Sequence, residues 1–129
     1  MKALLLLLSI AQQYLLMQPI QNSLRSGDIH SLANLCQDRL AVHLEAPLPL
    51  QGYFWRRDFA DKFSTLFAEY RAEEISWSSI QVEETLAVQS LNLALRNRFT
   101  RQKVIYKFIF FMKKEANEWQ IFYLRGLKT

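Results

Sequence analysis

The chain has 129 residues, of which half are hydrophobic and 13% are aromatic, with only three glycines and three prolines. This length suits a single domain, and this composition excludes a disordered or low-complexity chain. The formal net charge is +4, and the basic residues are scattered without any block of five like charges. Because nucleic-acid-binding domains usually carry a basic stripe, we expect no nucleic-acid partner.

Residues 1–17 admit two interpretations. Lys2 precedes a leucine-rich run, and Ser9-Ile10-Ala11 offers the small residues that a signal peptidase recognises, as in an exported or periplasmic protein. The alternative is that residues 1–17 begin the first helix of a cytoplasmic protein, with Leu4, Leu8 and Ala11 on one helix face. The apolar run is shorter than the roughly 20 residues that span a bilayer, so we expect no integral membrane segment.

A single domain is predicted over residues 18–129, and its first half is mostly helical. Pro19 suits the first turn of a helix that stops at Gly27. Asp28 is a suitable N-cap for a short second helix, which carries Leu32 and Leu35 on one side. The pattern then predicts a strand over residues 40–45.

A proline-rich turn over residues 46–52 is predicted to lead into the clearest helix, which spans Trp55 to Tyr70. This helix is predicted because its apolar residues recur every three or four positions and form one stripe. The stripe consists of Phe59, Phe63, Leu66, Phe67 and Tyr70.

After Tyr70 the apolar residues alternate with a period of two, which is typical of strands. Short polar turns separate the predicted strands, so we expect an antiparallel meander. Helices followed by strands predict an α+β fold in which N-terminal helices pack on a strongly curved antiparallel sheet. The four strands are predicted over Ile75–Glu84, Ala87–Phe99, Lys103–Lys114 and Trp119–Lys128.

The third of these strands is apolar on both faces. Tyr106, Phe108 and Phe110 lie on one face, whereas Ile105 and Phe111 lie on the other together with Ile109. The helices of so short a chain can cover only one side of the sheet, so the other side is expected to be covered by a second copy, by a different partner, or by the N-terminal leucines of residues 4–8 folding back across it. We predict a homodimer that packs sheet against sheet and assign its interface to Tyr106, Phe108 and Phe110, although the sequence does not decide which face carries it.

The order of these elements resembles that of the nuclear-transport-factor-2-like, or cystatin-like cone, superfamily. The segment from Ser23 to Asp28, followed by Leu32 and Leu35, is similar to the helix–Gly–Asp–helix opening of that family. The segment Glu118–Arg125 is similar to its last strand. The resemblance covers residues 18–128, is strongest for small exported bacterial members of unknown function, and implies the cone-shaped fold rather than one activity.

Enzymes of this superfamily place an acid or base and a hydrogen-bond donor inside the cone. His43, Tyr106 and Tyr123 are the weak catalytic candidates of this chain. No carboxylate–histidine pair has a recognisable spacing, so a hydrolase or dehydratase is not predicted. If the cone holds a small apolar ligand, its expected lining is Phe63, Phe67, His43, Leu91 and Leu93.

Other chemistry finds little support in the sequence. His30 and His43 lie on separate elements without a second ligand, and the only cysteine, Cys36, lies in an apolar run, so we expect no metal site and no cofactor. Arg96, Arg98 and Arg101 form, with Lys103, a basic edge that is either simply solvated or a contact for an anion. We therefore predict a non-catalytic binding or assembly module, with an isomerase-like enzyme that uses an acid/base pair in the cone as the alternative.

Overall fold

A computed structural model describes residues 17–129, which form three helices and six strands. The interpretations of residues 1–16 fall outside this range and stay predictions. Within residues 17–129 there is no helix of the length and hydropathy needed to cross a membrane. The helices are α1, described over residues 17–26, α2 (Ile29–Ala33) and α3 (Arg56–Phe67). The strands are β1 (Cys36–Leu44), β2 (Leu50–Trp55), β3 (Tyr70–Val82), β4 (Leu86–Asn97), β5 (Lys103–Glu115) and β6 (Glu118–Lys128).

All six strands belong to one sheet, in the order β2-β1-β6-β5-β4-β3. Strands β3 to β6 form the predicted antiparallel meander, and β1 pairs with β2 in the same antiparallel sense. The pairing of β1 with β6 is parallel, which the sequence did not indicate. Register shifts interrupt β3 twice and the β5–β6 ladder once, and such bulges bend a sheet. The predicted α+β architecture, helices on a curved sheet, is therefore confirmed.

The turn between α1 and α2 follows the sequence prediction. Gly27 has a φ of +76°, in the left-handed region that glycine adopts without a steric penalty. Asp28 is the N-cap of α2, because its Oδ1 accepts a hydrogen bond from the Ser31 backbone N–H at 3.2 Å. These two residues end one helix and start the next within two positions, which turns the chain back toward the sheet.

Helix α3 lies on the sheet because its aromatic residues fall four positions apart. Phe59, Phe63 and Phe67 therefore share one helix face, and all three are buried. The helix is shorter than predicted at its C-terminal end, because Tyr70 already begins β3. The side of the sheet that faces the helices is called the inner face below, and the opposite side is called the outer face.

Strand β2 replaces part of a predicted turn. The sequence assigned residues 46–52 to a turn and Trp55 to a helix, whereas Leu50–Trp55 forms an edge strand that pairs with β1. The prolines stand only at positions 47 and 49, so they leave the residues from Leu50 onward free to pair. The consequence is an exposed edge strand that carries Tyr53 and Trp55 on the outer face, 60% and 57% exposed.

Gly126 in β6 permits the closest approach within the sheet. A Cβ atom added there would lie 2.6 Å from Cε2 of Tyr106 and 2.7 Å from Cδ2 of Leu44. Both neighbours are buried, so neither has room to move aside. Only a residue without a side chain fits this position without displacing the core.

We therefore expect Gly126→Ala to lower the free energy of unfolding by about 1–3 kcal/mol, the usual cost of overpacking a filled core. Urea denaturation followed by circular dichroism measures this change. Lys128→Ala, an exposed position on the same strand, is the control and should change stability by less than about 0.5 kcal/mol. Equal effects of the two substitutions would show that the approach of Tyr106 to Gly126 is not tight.

Candidate functional site

The space between α3 and the inner face is occupied by aromatic rings. Phe63 stacks on Phe59 with ring centroids 5.4 Å apart, and it meets Phe108 edge to face at 6.1 Å. Such arrangements are the favoured geometries for aromatic pairs. The four apolar residues predicted to line a ligand pocket all contribute to this packing and are buried: Phe63, Phe67, Leu91 and Leu93.

His43 does not join these four residues. It alternates along β1 with Val42 and Leu44, which are buried on the inner face. Its side chain therefore lies on the outer face, in register with Arg125 of β6 and Gln51 of β2. The prediction that His43 lines the cone is wrong, because a one-residue difference in a strand reverses the face.

The two tyrosine candidates lie on opposite faces. Tyr106 is buried on the inner face, and its hydroxyl donates a hydrogen bond to the Glu45 carbonyl at 2.8 Å. Burial, together with the nearby Glu45 carboxylate, raises the pKa of Tyr106 well above its ordinary value. Tyr123 lies on the outer face, where its ring stacks on that of Phe111 with centroids 5.0 Å apart. The structure therefore brings no two of the three catalytic candidates into one cavity.

The interface residues also need correction. Tyr106, Phe108 and Phe110 face α3 and are buried within the chain itself, so they are not available to a second copy. The alternate set, Ile105 and Phe111 with Ile109 between them, lies on the outer face and keeps part of its surface exposed. Both alternating sets of β5 are equally apolar in the sequence, and the set predicted to form an interface is the one that lies on the inner face.

Gln89 is a polar residue that the sequence analysis did not single out. It is fully buried on the inner face, in register with Phe110 of β5 and Ile80 of β3. Neither its Oε1 nor its Nε2 has a hydrogen-bond partner among residues 17–129. The sequence signal was a glutamine in the same alternating set as Leu91 and Leu93. A buried amide without partners costs stability unless something else supplies them.

We expect Gln89→Met, which keeps the length of the side chain but removes both polar atoms, to raise the free energy of unfolding by about 1–2 kcal/mol. Thermal and urea denaturation would measure the gain. Gln81→Met, on the exposed outer side of β3, is the matched control and should be nearly neutral. A loss of stability in Gln89→Met would instead mean that Gln89 is satisfied by a bound water or ligand.

Neither the cysteine thiol nor a group of metal ligands forms a site within residues 17–129. Cys36 is buried, and burial raises the pKa of its thiol to about 12, so it stays protonated and unreactive at neutral pH. Residues 17–129 contain no cluster of three or more His, Cys, Asp or Glu side chains placed to hold a metal ion.

The arginines of the predicted basic edge lie together in the structure. Arg96, Arg98 and Arg101 surround a surface pocket together with Arg71 and Asn97.

Solved structures share this fold at low sequence identity. A DUF4783 family protein from Bacteroides uniformis superposes with a TM-score of 0.72 at 12% identity, over 87% of this chain and 95% of that one. A nuclear-transport-factor-2-like protein from Cytophaga hutchinsonii gives 0.66 at 12% identity, over 92% and 98%. A proposed isomerase from Rhodopseudomonas palustris gives 0.67 at 11% identity, over 91% and 88%.

No protein-family model matches the sequence, and no curated protein matches it significantly. The structural likenesses therefore establish the fold alone, because identities of this size carry no activity from one protein to another. The predicted nuclear-transport-factor-2-like fold is confirmed by them. Proteins with this fold include a member of a family of undefined function and a proposed isomerase. The function of this chain therefore has to be argued from its own residues.

Proposed function

We propose that this chain, which has the nuclear-transport-factor-2-like fold, is a non-catalytic assembly module that forms a homodimer through the outer face of its sheet. The observation that carries the proposal is a row of registered outer-face residues that crosses five adjacent strands. Neighbours in this row are opposite each other in the strand ladders: Tyr53 (β2), Ala41 (β1), Tyr123 (β6), Phe111 (β5) and Val88 (β4).

This row, called the outer-face row below, is broad enough to serve as the centre of an interface. Five strands spaced about 4.8 Å apart give a band of about 19 Å. The stacked rings of Phe111 and Tyr123 form its middle. Ile105, which is 43% exposed, and Ile109 and Leu127 extend the apolar surface beside it. Contiguous apolar surface of this kind is typical of protein contact sites.

A second copy of the same chain is the occupant that we propose. A self-complementary face can close into a two-fold symmetric dimer, in which each copy covers the row of the other. A stable dimer buries roughly 800 Å² per partner. At the β2 end of the row, Trp55 lies on the same face as Tyr53 and adds contact area. Arg39 lies over the rings of Tyr53 and Trp55, at 4.3 and 4.8 Å from their centroids.

The interior supports a non-catalytic role. An isomerase of this fold would need an acid or base and a donor in one cavity. Here His43 lies on the outer face, and the Tyr106 hydroxyl is already engaged by the Glu45 carbonyl. The rings of Phe59, Phe63 and Phe108 pack against one another beneath α3. The isomerase-like alternative rests on fold likeness alone, and a small apolar ligand and export from the cytoplasm remain additional proposals.

The central prediction for this proposal is that Phe111→Lys gives a folded monomer. The substitution places a charge in the middle of the outer-face row, where a second copy would have to desolvate it, whereas in the monomer the lysine remains in water. We expect the dimer dissociation constant to rise at least about 100-fold, with a loss of about 3 kcal/mol of association energy. Sedimentation velocity over a range of micromolar concentrations measures this change.

Phe108→Lys is the matched control, since the same change is made three residues earlier on the same strand. Phe108 is buried on the inner face, so a charge there should unfold the domain rather than separate two folded copies. Circular dichroism distinguishes the two results. A wild-type chain that stays monomeric at about 100 µM, or a Phe111→Lys variant that dimerises as well as the wild type, would contradict the proposal.

The charges around the outer-face row predict how the dimer responds to salt. Lys107 and Arg125 lie on the same face, in the ladders beside the row, so two copies present like charges to each other. Raising the salt from about 0.1 to about 1 M shortens the screening length from about 10 to about 3 Å. We expect the dimer to tighten over this range. Weaker self-association at high salt would indicate that opposite charges, and not the apolar row, hold the copies together.

A further inference from the structure

Four arginines surround a pocket at the end of the sheet where β3 and β4 meet the β4–β5 hairpin. The pocket has a volume of about 200 Å³ and is lined by Arg71, Arg96, Asn97, Arg98 and Arg101. It lies at one end of the sheet, beyond the outer-face row. We call it the arginine pocket.

Arg96 is held in a fixed position within this pocket. Its Nε donates to both carboxylate oxygens of Glu73, at 3.1 and 3.3 Å, and its Nη1 donates to the Arg101 carbonyl at 2.9 Å. Arg71 donates from Nη2 to the same Glu73 carboxylate at 2.7 Å. One carboxylate therefore orients two guanidinium groups, which leaves their remaining N–H donors to other acceptors.

The hairpin that supplies the other two arginines is braced by Asn97. Its side-chain oxygen accepts hydrogen bonds from the backbone N–H groups of Phe99 and Thr100, at 2.9 and 3.0 Å. The Arg101 N–H also donates to the Asn97 carbonyl at 3.0 Å. The backbone that carries Arg98 and Arg101 is thus fixed before any ligand arrives, which lowers the entropy cost of binding.

The arginine pocket carries an excess of positive charge. Neither Arg98 nor Arg101 forms an ion pair with any residue from 17 to 129, and Glu73 is shared between the other two arginines. Hydrogen bonds from Arg71 and then Arg96 hold the pKa of Glu73 below its usual value, so it is ionised at neutral pH. Four positive groups therefore face one negative group. The adjacent Lys103 is paired with Glu74 at 3.1 Å.

We propose that the arginine pocket binds a phosphate group. Guanidinium groups present planar, paired N–H donors that match the oxygens of phosphate, and several arginines around one cavity are the usual recognition device for it. Arg98 and Arg101 would donate hydrogen bonds directly to the phosphate. Arg96, which Glu73 holds in position, would form one side of the pocket. This inference goes beyond the assembly proposal and holds whether or not the chain dimerises.

The phosphate could belong to a free molecule or to a lipid headgroup. Phe99 stands at the tip of the hairpin, 80% exposed and beside Arg98. Exposed aromatic residues next to basic residues are typical of protein surfaces that contact lipid. A substitution of Phe99 therefore distinguishes the two sources of phosphate, because only a lipid would contact this side chain.

The test is a titration with inorganic phosphate, followed by NMR of the arginine Nε–H signals, against sodium chloride at equal ionic strength. We expect saturable shifts for Arg98 and Arg101 in the wild type. The double variant Arg98→Gln and Arg101→Gln should bind phosphate about tenfold more weakly or worse, as expected for the loss of two charge-assisted hydrogen bonds. The control is Arg25→Gln with Arg57→Gln, two exposed arginines of α1 and α3, which removes the same charge and should bind as the wild type does.

A second variant keeps the inference testable if the first one unfolds. Glu73→Gln removes the competing negative charge but keeps an oxygen that can accept from Arg96, so phosphate binding should become at least about threefold tighter. The Phe111→Lys variant should bind phosphate like the wild type, which separates this inference from the dimer proposal. Unsaturable shifts, or equal weakening in the control double variant, would show general charge screening and overturn the phosphate site.

Vesicle sedimentation identifies the source of the phosphate. If the ligand is a lipid headgroup, the chain should bind vesicles of phosphatidic acid in phosphatidylcholine but not phosphatidylcholine alone, and Phe99→Ala should weaken this binding at least about fivefold. If the ligand is a free phosphate compound, inorganic phosphate should bind and Phe99→Ala should have no effect. Failure of both phosphate and vesicles to bind at physiological salt would refute the arginine pocket as a phosphate site.

Discussion

The contact between the aromatic face of α3 and the inner face of β5 determines how the rest of the chain is arranged. Phe63 meets Phe108 edge to face, and the rings on both sides of this contact are buried. Because one face of β5 is used in this way, its alternate residues must lie on the outer face, where no helix among residues 17–129 covers them. The aromatic packing beneath α3 and the apolar outer face are therefore two consequences of the way in which β5 packs.

The sequence predicted the elements whose periodicity is long and regular. The helix–Gly–Asp–helix turn, the aromatic stripe of α3 and the four-strand meander all occur close to their predicted positions. Strand β2 was missed because its six residues follow two prolines and its aromatic residues fit the start of a helix equally well. The parallel pairing of β1 with β6 joins strands that are far apart in the chain, and a single sequence carries no local signal for such a contact.

The candidate site was harder to predict because it depends on which face each strand residue occupies. In β5 both alternating sets are apolar, so hydrophobicity could not decide whether Phe108 or Phe111 faces the helices. The prediction that His43 lies in the cone rests on its residue type. Its neighbours Val42 and Leu44 are buried on the inner face, so the alternation along the strand indicates the outer face for His43. Arg71 joined the predicted basic edge only through the pairing of β3 with β4, which sets it opposite Arg96.

In the proposed dimer, the outer face of the sheet is covered by a second copy of the chain. Intermolecular NOEs in an equimolar mixture of isotope-labelled and unlabelled protein measure this directly, because they arise only between atoms of different copies. We expect NOEs that connect the Phe111 and Tyr123 rings or the Ile109 methyl groups of one copy to outer-face residues of the other, and none that involve Phe108. An absence of intermolecular NOEs at millimolar concentration, or NOEs confined to another surface, would contradict the proposed dimer.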